Sequence, residues 1–91
     1  MANLLAVGTT DADSATFTVA AGASATLSLA IAASGILPDG VMVDIQKLTS
    51  AGGYITFSSM TKMHPAEVLT AVGTFKVHRY PCIPAVGVDI D

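Results

Sequence analysis

Apolar and polar residues alternate with a period of two through most of the chain, the signature of half-buried β-strands. In Ala15–Ala20, Phe17 and Val19 fall on one face and Thr16 and Thr18 on the other. After Ala21-Gly22-Ala23 the pattern returns, with Leu27, Leu29 and Ile31 opposite Thr26 and Ser28, so the two segments read as a hairpin. Val41–Leu48 sets Val41, Val43 and Ile45 against Met42, Asp44 and Gln46, and Tyr54–Met60 sets Tyr54, Thr56 and Ser58 against Ile55 and Phe57. Ala66–Leu69 reads as a short strand after a loop over Thr61–Pro65. In Gly73–Tyr80, Phe75 and Val77 oppose Thr74, Lys76 and His78, and Val86, Val88 and Ile90 are in phase at the end of the chain. The expected core is therefore Phe17, Val19, Leu27, Leu29, Val43, Ile45, Phe75 and Val77.

Breakers separate these segments. Pro38-Asp39-Gly40 and Ser50-Ala51-Gly52-Gly53 are turn signals, and Pro81 with Pro84 confines Cys82 and Ile83 to a bend or an edge. The run Ala30–Ala33 would suit a helix, but Gly22 and Gly35 bracket it too closely for more than a turn or two. Counting Leu4–Val7, the chain holds seven or eight short strands with turns about every 8–12 residues. That spacing predicts an all-β fold: a small antiparallel β-sandwich, immunoglobulin-like or jelly-roll-like, in one domain spanning 1–91. Residues 1–14 form a candidate N-terminal arm, because Leu4–Val7 precedes a flexible-looking Gly8–Ser14 segment. Unguarded strand edges are templates for pairing with another chain, and Lys and Pro are scarce before Pro38. Leu4, Leu5 and Val7 are thus the candidate partner-binding residues; alternatively, Leu4–Val7 is the first strand of the domain's own sheet.

Composition narrows the function classes. Only 12% of residues are charged, about half the usual share, so the exterior suits a chain that buries part of itself against other chains. The net charge is −3, and the basic residues Lys47, Lys62, Lys76 and Arg79 form no cluster, which argues against nucleic-acid binding. Cys82 is alone, so no intrachain disulfide is expected. The N-terminus lacks a basic region followed by a long apolar run, so no signal peptide is expected. The uncharged stretch between Asp13 and Asp39 is long enough for a membrane span, but its alternating Thr, Ser and Gly argue against one.

Candidate chemistry is sparse. His64, His78 and Cys82 lack the spacing of a zinc site, and Cys82 lies beyond a proline from His78, a poor geometry for a nucleophile–base pair. Asp11 with Asp13 and Asp89 with Asp91 are carboxylate pairs, yet no calcium loop continues from them. Gly52-Gly53 lies between strands rather than before a helix, so it is no phosphate loop. No enzymatic activity, metal or cofactor is expected.

Three stretches together carry a family resemblance. They are Leu4-Leu-Ala-Val-Gly-Thr-Thr-Asp-Ala-Asp-Ser14 leading into Ala15–Leu27; Val43-Asp-Ile-Gln-Lys47 with Gly53-Tyr-Ile-Thr-Phe57; and Val72-Gly-Thr-Phe-Lys-Val-His-Arg79 with Val86-Gly-Val-Asp89. The chain resembles the small β-sandwich structural proteins of tailed bacteriophages, the head-decoration or cement type. The resemblance implies a virion protein assembled in the host cytoplasm. It would bind and stabilise the outer capsid lattice, with the major capsid protein or copies of itself as partners, as a homo-oligomer on the particle. Alternatives are a tail, neck or fibre-base module, and a carbohydrate- or cell-surface-binding module. Against the last count the absence of Trp and the presence of only Tyr54 and Tyr80 for stacking on sugars.

Overall fold

A computed structural model describes residues 2–31, 37, 40–81 and 85–91. Nine strands are formed among them: β1 (Ala2–Gly8), β2 (Ala12–Asp13), β3 (Phe17–Val19), β4 (Ala25–Ile31), β5 (Met42–Leu48), β6 (Tyr54–Thr61), β7 (Ala66–Leu69), β8 (Gly73–Arg79) and β9 (Val86–Ile90). No helix is present among the described residues. One sheet has the order β1-β9-β4-β7. The other has β2-β8-β5-β6, with β3 also on β8, and every pairing is antiparallel. The fold is a small β-sandwich.

Each sheet turns its apolar face inward, as the alternation requires. Val19, Leu27, Val43, Ile45, Met60, Leu69, Phe75, Val77 and Val88 are buried between the layers, with Leu5 and Ala25 at the margin. Phe17 and Leu29, two of the expected core residues, are only partly buried and pack against the others. Phe75 is at the centre of an aromatic group, stacked on Phe17 at 5.8 Å and meeting Phe57 edge-on at 5.5 Å. A second, smaller cluster joins Val41 and Val86, with Leu29, Ile31 and Leu37 against it.

The expected hairpin between Ala15–Ala20 and Leu27–Ile31 does not form. β3 pairs with β8 in one sheet, and β4 pairs with β7 and β9 in the other. The turn held by the Ala23 N–H donating to Ala20 O (3.0 Å) is a corner between layers. Crossing over lets Val19 and Leu27 meet inside the core, because alternation specifies which face is apolar but not which strand lies beside it. The Gly8–Ser14 segment is also more ordered than its composition suggests. Ala12 and Asp13 pair with Arg79 and His78, the Ser14 N–H donates to Val77 O (2.9 Å), and the Val77 N–H donates to Ser14 Oγ (3.0 Å). The turn at Thr49–Gly53 forms as expected, whereas residues 38 and 39 of the Pro38 turn, residues 32 and 33 of the alanine run, and the bend at 82–84 lie outside the described residues.

Truncating Phe75 to alanine should cost about 3–5 kcal/mol by chemical denaturation, a large fraction of the stability of so small a domain. A loss below about 1 kcal/mol would mean the β8 side chains are assigned to the wrong faces.

Candidate interaction surfaces

β8 carries chemistry on both faces. Its odd positions continue the apolar phase of Phe75 and Val77 into Arg79, so a guanidinium enters the interior, 4% exposed. Burying such a charge is costly unless its donors are used. Arg79 Nε donates to Thr10 O (2.7 Å), and Nη1 donates to Ala6 O (2.7 Å) and Val86 O (2.9 Å). Ala6 lies where the β1–β9 register breaks between Leu5 and Gly8. A Cβ at Gly8 would lie 2.7 Å from Arg79 Nη2, and one at Gly87 would lie 2.5 Å from Leu5 O. Two glycines thus let β1 close over β9 and the guanidinium.

The even positions of β8 face outward with those of β5. Asp44, opposite His78 on β8 and Ser59 on β6, is buried on this face because its neighbours cover it. Ser59 Oγ donates to Asp44 Oδ1 and Tyr80 Oη to Asp44 Oδ2, both at 2.7 Å. The hydrogen bond to Asp44 holds the Tyr80 phenol above its ordinary pKa. His78 Nδ1 lies 2.6 Å from Asp13 Oδ1, and Lys76 Nζ is 3.2 Å from Asp13 Oδ2 and 4.6 Å above the Tyr54 ring. The His78 hydrogen bond leads the effects that lower the Asp13 pKa, with Lys76 adding to it. Asp13, expected as a solvated turn residue, thereby ties β2 to the sheet.

A third polar group bridges the two layers. Glu67 on β7 accepts from Ser58 Oγ on β6 (2.7 Å) and lies 3.1 Å from His64 Nε2. The Ser58 bond is the main cause of its lowered pKa. Among the described residues, no three His, Cys, Asp or Glu side chains gather as a metal-holding group, and no helix is long and apolar enough to cross a membrane.

The candidate partner-binding residues separate. Leu5 is buried in the core and Leu4 is half-buried against it, while Val7 is exposed. All three lie on β1, which pairs with β9 on one side and is the terminal strand of its sheet on the other. Sequence reasoning missed the role of Arg79, although its position two residues after Val77 already placed it in the apolar phase. The polar set on the opposite face could not be assembled from the sequence, since Asp13 and His78 are 65 residues apart. Comparison with known families, curated proteins and solved structures finds no match to this chain.

Two outcomes follow from these groups. Asp13 and Glu67 have folded-state pKa values below their unfolded ones, so their stabilisation is present above the unfolded values. It is lost as pH falls from those values, 3.8 for Asp13 and 4.5 for Glu67, through the lowered ones. Thermal melts against pH should therefore show an acid decline that is shallower in Asp13→Asn and Glu67→Gln. Arg79→Ala should cost about 3–5 kcal/mol by leaving buried carbonyls unpaired, and Arg79→Lys should recover only part of this, because one ammonium cannot reproduce the planar fork.

Proposed function

We propose that this chain is a non-enzymatic structural protein of a tailed-bacteriophage particle, a decoration protein that binds the outside of the capsid and stabilises the shell. The resemblance described above supplies the particle. One structural observation supports the assembly role: the carboxylates of Asp13, Asp44 and Glu67 are engaged by neighbouring side chains, while large apolar side chains lie exposed along strand edges. The surface therefore favours contact with another protein surface over chemistry on a small substrate.

The contact proposed for the capsid is the free edge of β1 at Val7. Leu4 and Leu5 act from behind, holding that edge rigid through the core. A protein that binds assembled shell and not its loose subunits stabilises the shell by mass action, about 2.7 kcal/mol per site at a hundredfold excess over Kd. Repetition over a symmetric lattice multiplies a weak contact. Sugar binding is less favoured because Lys76 covers the Tyr54 ring, and the Tyr80 ring is packed edge-on with His78 at 4.8 Å while its hydroxyl donates to Asp44.

Quantifying and locating the protein in purified particles tests this reading. Many copies spread over the shell support decoration; a few at one vertex would indicate a tail or neck module, and none would overturn the virion assignment. With shells lacking the protein, Val7→Glu should bind at least about tenfold more weakly, about 1.4 kcal/mol, at an unchanged melting temperature. Equal binding by this variant would remove β1 from the contact.

A further inference from the structure

The exposed large hydrophobics are not scattered. Of the nine among the described residues, five, Ile55, Phe57, Met63, Val68 and Val72, fall on β6, β7 and the turns that follow them, while Val7, Met42, Leu48 and Tyr80 lie elsewhere. β6 and β7 are the terminal strands of their respective sheets, and the Ser58–Glu67 bond places them on one side of the sandwich. Natural edges are usually guarded by charge, proline, shortness or a bulge. β7 is short, with 4 residues. β6 has 8 residues, none charged and none proline. Its guard is a bulge: Thr56 pairs with Gln46 and Ser58 with Ile45, leaving Phe57 without an opposite residue. Phe57 reaches the edge of the Phe75 ring yet stays 44% exposed, and Ile55 is 55% exposed.

We propose that the β6–β7 side is a homotypic interface, on which a second copy of this chain docks by the same side about a twofold axis. The inference needs no particle and holds whatever the chain decorates. Charge favours a second copy. The molecule carries −3 overall, so copies repel across most of their surface, but Ile55–Val72 contains only Lys62 and Glu67 as charged residues, and these cancel. Strongly acidic or basic partners would find no complement there.

Strand geometry agrees with this choice. β6 set antiparallel to its own copy places its free-edge backbone groups opposite the equivalent stretch as far as Met60, as a twofold interface requires. The Thr61 N–H and C=O are already bonded to His64. The bulge limits the ladder on either side of Phe57 and brings the two Phe57 rings toward the axis. Area sets the strength. β6 is about 27 Å long at about 3.4 Å per residue, and the molecule's shortest extent is 20 Å. A side of that length and no deeper than the shortest extent offers at most about 540 Å² per copy, or about 1,100 Å² for the pair, at the roughly 1,000 Å² lower limit of a specific interface. The dimer is accordingly weak and reversible.

Sedimentation velocity of the purified full chain across a concentration series provides the test. A monomer–dimer equilibrium is expected at micromolar to sub-millimolar concentrations. Ile55→Glu should raise the dimer Kd at least about tenfold with melting unchanged, because Lys47 lies directly opposite on β5 and accommodates the carboxylate. If that variant melts lower, Ile55→Thr, a strand former without the apolar bulk, should still weaken the dimer. Val7→Glu, on the other side of the sandwich, should leave it unchanged. A wild-type chain that stays monomeric up to about 1 mM overturns the proposal. So does a dimer that neither Ile55 substitution weakens, or one that Val7→Glu dissociates.

Discussion

The placement of Arg79 between the sheets is the constraint on which the rest of the structure depends. Its guanidinium draws in carbonyls from β1, from the loop after it and from β9, while its backbone belongs to β8 in the other sheet. A buried charge tolerates this position only with its donors satisfied. The β1 ladder accordingly breaks near Ala6, and Gly8 and Gly87 leave room for the close approach. The first strand is thereby fastened to the last, and the two layers are joined by hydrogen bonds as well as by apolar contact. A domain of this size buries a modest fraction of its chain, so such a polar tie is a substantial part of what keeps one arrangement unique.

The five-stranded sheet answers a related problem. β2 and β3 are short, and neither would be expected to hold an edge by its ladder alone. Asp13 gives β2 side-chain anchors at His78 and Lys76, while Phe17 gives β3 an anchor on Phe75. Asp44 gathers Ser59 and Tyr80 and so connects β6, β5 and the end of β8. Because Asp13 is half-exposed, its bonds to His78 and Lys76 stabilise modestly. Their value lies in fixing which strands are neighbours, and they leave these carboxylates already partnered. That commitment, with apolar side chains left free at the edges, is the basis for the association proposed above.

The four sheet edges are managed differently. β7 and the β2–β3 pair are short, β1 is irregular, and β6 carries a bulge. These devices limit indiscriminate strand addition without adding charge. They leave two sides of the sandwich with distinct characters, one bearing Val7 on β1 and the other Ile55 and Phe57 on β6. The roles proposed above assign the capsid contact to the first side and the homotypic contact to the second.

Local alternation was enough to determine the all-β class, the approximate strands, and the inward face of β5 and β8, because a period of two is a property of neighbouring residues. Val19, Leu27, Val43, Ile45, Phe75 and Val77 were legible as core for that reason. Pairing was not legible. Whether β3 and β4 form a hairpin or a corner depends on which partner covers each apolar face, and those partners, β8 for one and β7 and β9 for the other, lie far along the chain. The bulge that leaves Phe57 unpaired and exposed likewise exists only in the register between β5 and β6. The joining of Asp13 to His78, Ser58 to Glu67 and Arg79 to Ala6 was decided by tertiary structure alone, since each bond links groups whose proximity is created by the packing of strands and not by their order.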